Sequence, residues 1–281
     1  MPLPQSLRVS LSGAGFLGAF HLGFAEALLA SRVAATHRVE IAGASAGALV
    51  GAIIVTETPI STARAVLRKL AASARGAGAL GIVTPGYSLI DAVRSDLDEH
   101  LPSDAHAKAS AGGLYVALTD VVSGSVRHVS SWATRDELIE CVCASSDIPG
   151  LTGLLRATAS SGSAPPDPDR TLLQRAINRD TVDGGIFDLH PDPWRDSGMV
   201  VDVHHVSPFA GAGLAVAPAV QPSTALSLAI PVGHGRSIEA SRSNFVRAMH
   251  SLRPPSDEIL EAYEREGRVL AEAFLARVVV T

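Results

Sequence analysis

Residues 10–18 read Ser-Leu-Ser-Gly-Ala-Gly-Phe-Leu-Gly, with glycines at 13, 15 and 18. The apolar run Leu7 to Leu11 before this turn predicts a short strand, and the apolar-rich segment from about Gly15 to Ala30 predicts a helix. A glycine turn at that junction aims backbone N–H groups at an anion above the helix N-terminus. Two anions suit it. One is a dinucleotide pyrophosphate, for which G-x-G-x-x-G is the fingerprint, and the other is a transient oxyanion.

The next segment separates the two readings. Arg38 to Ala42 predicts a second strand, and a dinucleotide site wants an acidic residue at its end to bind the ribose hydroxyls. This strand ends instead in Gly43-Ala44-Ser45, and Glu40 falls inside it. Gly43-Ala-Ser45-Ala-Gly47 has the G-x-S-x-G form of a nucleophile elbow, in which small neighbours let a strand turn abruptly into a helix and expose the serine. An isolated match is equally well a tight turn in an alanine-rich chain. Serine also needs a base. His190, His204, His205 and His234 are available, but none lies in a motif and core or surface roles suit each. Asp183-Gly184-Gly185 offers a carboxylate at the end of a predicted strand, Thr181-Val182, with glycines that let it approach a hydroxyl. Aspartate is ionised at neutral pH and can accept the proton. Alone, Asp-Gly is a common turn.

The rest of the chain predicts an alternating α/β pattern. Thr58 and Pro59 are expected as N-cap and first residue of a helix ending at Gly76-Ala77-Gly78, and Ser88 caps the next. "LYVALTDVVSGSVRHVSS" predicts a hairpin, and Thr134 with Glu137 a capping box ahead of a helix to about Ser145. Val200 to Val206 and Ala225 to Val232 read as strands, Ser237 to His250 and Pro255 to Arg277 as helices. The low-complexity stretch at 157–170, "ATASSGSAPPDPDR", reads as an inserted loop. The expected architecture is a three-layer α/β/α sandwich with a mostly parallel central sheet, in a single domain over residues 1–281.

Composition narrows the partners. Of the 281 residues, 47% are hydrophobic and 18% charged, with a net charge of −5. That balance argues against nucleic acid and against an electrostatic membrane anchor. Cys141 and Cys143 stand two apart on a predicted helix, facing different ways, without zinc spacing. A reduced, cytoplasmic setting is expected, without signal peptide or spanning helix and with peripheral association at most.

In order, the glycine turn, the serine elbow and Asp-Gly-Gly resemble the patatin-like phospholipase family. "SGAGFLGAFHLG", "GASAGAL", "LPSDAHAKASAGGLYVALT", "TRDELIECVCASSDIPG", "TVDGGI", "HVSPFAG" and "LRPPSDEILEAYEREGRVLAEAFL" are similar to the adipose triglyceride lipase-like branch, across roughly Leu7 to Arg277. The resemblance implies a serine esterase with Ser45 as nucleophile and Asp183 as base. Gly13, Ala14 and Gly15 would form the oxyanion loop, with Gly18, Gly43, Gly47, Gly184 and Gly185 as supporting glycines. No metal or cofactor is implied. The substrate would be an acyl lipid at a membrane or lipid-droplet surface, triacylglycerol first and phospholipid second, and a protein regulator is left open. A lipid transacylase or an inactive lipid-surface binding protein are the alternatives. Two departures stand out: Leu189 takes the place of the family's usual asparagine, and the 157–170 insertion lengthens the link before Asp183. "ALGIVTPGYSLI" (79–90) and "GLTGLL" (150–155) are the expected apolar approach surfaces.

Overall fold

The computed structural model describes residues 6–78, 88–120, 125–147, 181–183, 189–198, 201–218, 229–232 and 235–278. The stretch 157–170 that reads as an inserted loop, the segment 150–155, Gly184, Gly185 and His234 lie outside them.

Strand β1 (Ser6–Leu11) leads through a short 3₁₀ turn (Gly15–Leu17) into helix α1 (Gly18–Ala30). After α2 (Arg32–Thr36), strand β2 (Arg38–Gly43) leads into α3 (Ala46–Val55). Helices α4 (Ile60–Gly76), α5 (Leu89–His100) and α6 (Ala105–Gly112) precede the hairpin arms β3 (Leu114–Asp120) and β4 (Val126–Val129). Helix α7 (Arg135–Ala144), strand β5 (Thr181–Asp183), the single turn α8 (Pro193–Asp196) and strand β6 (Val203–Val206) follow. Strands β7 (Gly211–Ala212), β8 (Ala229–Pro231) and β9 (Ser237–Glu239) form a second, small sheet. Helices α9 (Arg242–Leu252) and α10 (Asp257–Val278) close the described chain.

The main sheet runs β4-β3-β2-β1-β6, with β5 also paired to β3. The β1–β2, β1–β6 and β2–β3 pairs are parallel, and β4 and β5 run antiparallel to β3. Helices flank this mixed, mostly parallel sheet as a three-layer α/β/α sandwich. Helix α3 is apolar on every side and therefore buried, as its sequence AGALVGAIIV requires. Helix α1 is buried along most of its length and crosses α10 so closely that a Cβ on Gly23 would stand 1.9 Å from the Glu264 carbonyl oxygen.

Two expectations at helix starts need correction. Pro59, with ψ of 130°, is the N-cap of α4 rather than its first residue, and the Thr58 hydroxyl pairs with Thr56 at 2.9 Å instead of capping. The segment Ser237 to His250 is not one helix. Ser237–Glu239 is a strand because β7 and β8 supply partners on both its edges, and α9 starts only after Ser241, whose hydroxyl accepts the Asn244 N–H at 3.2 Å. The caps at Ser88 and Thr134 form as read, accepting from Asp91 and Glu137. The Glu137 carboxylate reaches back one residue further than a capping box requires, to the Ala133 amide.

Candidate active site

Strands β1 and β2 run parallel and side by side, so the turns that leave them, 12–17 and 43–46, meet at one end of the sheet. Ser45 sits in the second turn with φ 53° and ψ −123° and is 8% exposed. A non-glycine residue holds this conformation only when its surroundings impose it. They do so from three sides. The Ser45 amide donates to Ser145 Oγ at 3.0 Å, and that hydroxyl donates to the Ala117 carbonyl at 2.7 Å, tying the elbow to α7 and β3. The Ala44 amide donates to the Leu11 carbonyl at 3.3 Å. On the third side the glycines admit the backbone itself: a Cβ on Gly47 would stand 2.3 Å from Leu11 O, and one on Gly43 would stand 2.5 Å from Gly47 O. Ser45 is also the N-cap of α3, where the helix dipole favours negative charge.

The glycine turn is held as tightly. The Gly13 amide donates to the Leu189 carbonyl at 3.1 Å, and the amides of Ala14 and Gly15 donate to no acceptor among the described residues. Gly15 has φ 52°, and a Cβ there would collide with the Ser251 carbonyl at the end of α9. Gly18 lets α1 approach α3, its hypothetical Cβ lying 3.3 Å from Ala46 Cβ. Beneath the turn, His21 is wholly buried and its Nε2 lies 2.9 Å from the Ser12 carbonyl, the contact of an N–H donor. Burial pushes its pKa down to about 4, partly opposed by that hydrogen bond.

Asp183 reaches the same end of the sheet through pairing. On one edge β3 pairs with β2 as far as Val116, opposite Gly43, and then with β5 from Leu118, opposite Asp183. Strand β4 holds the other edge of that stretch. The backbone of Asp183 therefore follows directly beyond the level at which β2 turns away toward Ser45, roughly 7 Å along the strand. Leu189 is half-buried and lines the cavity, and its carbonyl receives the Gly13 amide.

A cavity of about 850 Å³ opens over Ser45, lined by Ala14, Gly15, Leu49, Leu70, Leu189 and Phe245 among others. A smaller one of about 100 Å³ shares Leu49, Leu67 and Leu70 with it and runs on between α3, α4 and α5 to Ile53, Val66 and Leu101. Leu89 and Ile90, from the 79–90 stretch, also line the larger cavity; residues 79–87 lie outside the described ones. The walls are overwhelmingly apolar, as a site for a hydrocarbon chain requires.

Three of the four histidines weighed as bases stand elsewhere, and the fourth, His234, lies outside the described residues. His190 is completely buried, packs edge-on to His205 and has its pKa held well below the ordinary value, first by burial and then by Arg236. His205 lies 3.8 Å from Asp192 and against Arg236, and His204 packs on the Phe274 ring at 4.8 Å. None of these three lines the cavity. Glu40 is engaged by Arg8 at 2.9 Å, so the acidic residue that a dinucleotide reading needs is already paired. One group of metal-type ligands, Asp96, Glu99 and His100 on α5, comes together among the described residues, and Lys69 Nζ, 2.5 Å from Asp96 Oδ1, already supplies its positive charge. No described helix is long and apolar enough to cross a membrane.

Sequence reasoning missed the parts played by Ser145 and by the Leu189 carbonyl. Both act through backbone groups far away in sequence, and Ser145 gave no signal beyond its place in "TRDELIECVCASSDIPG".

The patatin-like phospholipase family model matches residues 9–191. Patatin-like phospholipase domain-containing protein 4 of Homo sapiens is 31% identical over 94% of this chain and 94% of its own length. Patatin-like phospholipase domain-containing protein 2 of Rattus norvegicus is 30% identical over 98% of this chain and 52% of its own length. Omega-hydroxyceramide transacylase of Homo sapiens is 29% identical over 96% of this chain and 46% of its own length. The chain thus spans about half the length of the last two relatives.

Proposed function

The chain belongs to the patatin-like phospholipase family, and from that premise we propose that it is a lipid acyl hydrolase working through Ser45, Asp183 and an acyl-enzyme. The observation that carries this reading is the strained Ser45 elbow opening, beside the Ala14 and Gly15 amides, onto a largely apolar cavity of about 850 Å³.

In the proposed reaction the Ser45 hydroxyl attacks a fatty-acyl ester carbonyl while the Asp183 carboxylate takes its proton. The carbonyl oxygen becomes an oxyanion facing the glycine turn. Gly13, Ala14 and Gly15 form that turn, and because the Gly13 amide already serves Leu189, Ala14 and Gly15 are the donors in this reading. Removing one such donor typically raises a barrier by about 3 kcal/mol. Collapse expels the alcohol, which takes the proton back from Asp183. Water, deprotonated by Asp183, then attacks the acyl-enzyme carbonyl; the bond to Ser45 Oγ breaks, Oγ takes that proton back from Asp183, and the fatty acid leaves. The acyl chain would lie along α3 and enter the smaller cavity between α4 and α5. No step calls for a metal or cofactor.

Triacylglycerol is the first expected substrate and phospholipid the second, met at a membrane or droplet surface by a cytoplasmic, single-domain protein with 157–170 as an inserted loop. The test is a panel of triacylglycerol, diacylglycerol, phospholipid and retinyl ester, assayed with wild type beside Ser45→Ala. Fatty acid release from at least one ester, lost in Ser45→Ala, is the expected result. Wild-type protein that cleaves none of them would instead support a lipid-binding scaffold. The similarity to a transacylase favours a second fate for the acyl-enzyme, transfer to a lipid hydroxyl, which product analysis with an added acceptor lipid distinguishes from hydrolysis.

A further inference from the structure

Among the described residues, exposed large apolar side chains are scattered, with one exception. Leu29, Ile259 and Val269 are exposed on α1 and α10, as single surface apolar residues commonly are. On α9, by contrast, Phe245 is 67% exposed, Met249 49%, Leu252 39% and Val246 40%, and Ile230 on β8 is 51% exposed. Phe245, Met249 and Leu252 recur at helical spacing and share one face. Ile230, Phe245 and Leu252 also line the cavity that holds Ser45, so the apolar patch is continuous with the cavity mouth.

Charge on this helix runs against the rest of the chain. The protein carries a net −5, yet the α9 sequence RSNFVRAMHSL contains no acidic residue. Arg242 at its start and Arg253 just beyond its end are exposed and take part in no ion pair among the described residues. Arg247 is different: it is held inward by Glu266 at 2.9 Å and by the Pro208 carbonyl at 2.8 Å. On the inner side, buried Asn244 bonds both the amide and the carbonyl of Ala210 and the carbonyl of Glu239. The helix is therefore held from beneath, and its outer face presents an apolar strip between two cations that form no ion pair among the described residues.

We propose that this outer face of α9, with Ile230, docks on a phospholipid surface bearing anionic head groups, bringing the cavity mouth against the lipid. The inference rests on the acyl-lipid reading of the Ser45 site and names the surface through which its substrate arrives. Apolar side chains enter the acyl boundary while flanking arginines meet head-group phosphates, the arrangement by which an interfacial helix binds. Short esters dissolved in water need no such docking.

Vesicle flotation tests the proposal in a Ser45→Ala background, where binding is read without catalysis. Phosphatidylcholine vesicles with and without phosphatidylserine serve as probes. The Val246→Glu/Met249→Glu variant, at two exposed positions that do not line the cavity, is expected to bind at least about tenfold more weakly than its parent. Arg242→Glu/Arg253→Glu is expected to lose the preference for phosphatidylserine, and Val269→Glu on α10 to bind like the parent. With Ser45 intact, Val246→Glu/Met249→Glu should retain p-nitrophenyl butyrate cleavage but lose about tenfold of its activity on emulsified triacylglycerol. Flotation of this variant at the parent level would overturn the proposal. So would a parent that ignores vesicles and instead forms a dimer abolished by the same two substitutions. If vesicle binding follows the proposal but no ester is cleaved, the docking face stands and the hydrolase reading falls.

Discussion

Around Ser45 the chain is fixed by its own backbone: the Ser45 amide on Ser145, the Ala44 amide on Leu11, the Gly13 amide on Leu189, and glycines where no Cβ fits. At the rim of the same cavity α9 is held from beneath and turns its large apolar side chains outward. Substitutions at the floor must therefore disturb geometry that both the fold and the chemistry share. Changes on the outer face of the rim should alter which surface the protein meets and leave folding alone.

The largest expected effect is chemical. Asp183→Asn should lower ester hydrolysis by about 10³-fold or more while leaving the melting temperature close to wild type, measured on a soluble ester so that docking plays no part. Retained activity would remove Asp183 as the base. Gly47→Ala forces a methyl group to 2.3 Å from Leu11 O and should cost about 3 kcal/mol in urea unfolding. A much smaller cost would mean that the floor yields more easily than its contacts imply.

An effect of similar size follows from His21. Its pKa is 6.5 in the unfolded chain and about 4 in the folded one, because burial disfavours the imidazolium. Between those values the unfolded state binds a proton that the folded state does not. The contribution is thus fully present above pH 6.5, falls as the pH drops toward 4, and amounts to about 3 kcal/mol. Buried His190 shifts in the same direction. Urea unfolding followed from pH 7 to 4 should show this loss, and His21→Gln should flatten it. An unchanged slope in that variant would assign the acid sensitivity to other groups.

Ser145→Ala is expected to have a smaller effect. It leaves the Ser45 amide and the Ala117 carbonyl without their partner, and should cost about 2 kcal/mol of stability and lower kcat more than KM. At the rim, Met249→Ala should shift unfolding by less than about 0.5 kcal/mol. A larger shift would show that the outer face of α9 supports the fold after all.

The same contrast governed what the sequence could reveal. The floor was legible because its signals are local: glycines at 13, 15 and 18, the G-x-S-x-G elbow, and a strand before each turn. Close approach of backbones leaves a mark in composition, since nothing but glycine fits. The rim is not legible in this way because Ser237–Glu239 takes its conformation from strands at 211–212 and 229–231, which helical spacing cannot report. The support from Ser145 and the Leu189 carbonyl was hidden for a related reason, because a hydroxyl or a backbone carbonyl looks alike in sequence whatever it binds. Cys141 and Cys143 are buried free thiols whose pKa values are pushed up by desolvation, to about 12 and about 11.

Whether Ser45 is an activated nucleophile is read from the mass of the protein after treatment with a fluorophosphonate. One covalent adduct is expected on wild type, mapped to the peptide containing Ser45, and none on Ser45→Ala. Wild-type protein that stays unmodified, or an adduct that persists in Ser45→Ala, would contradict it.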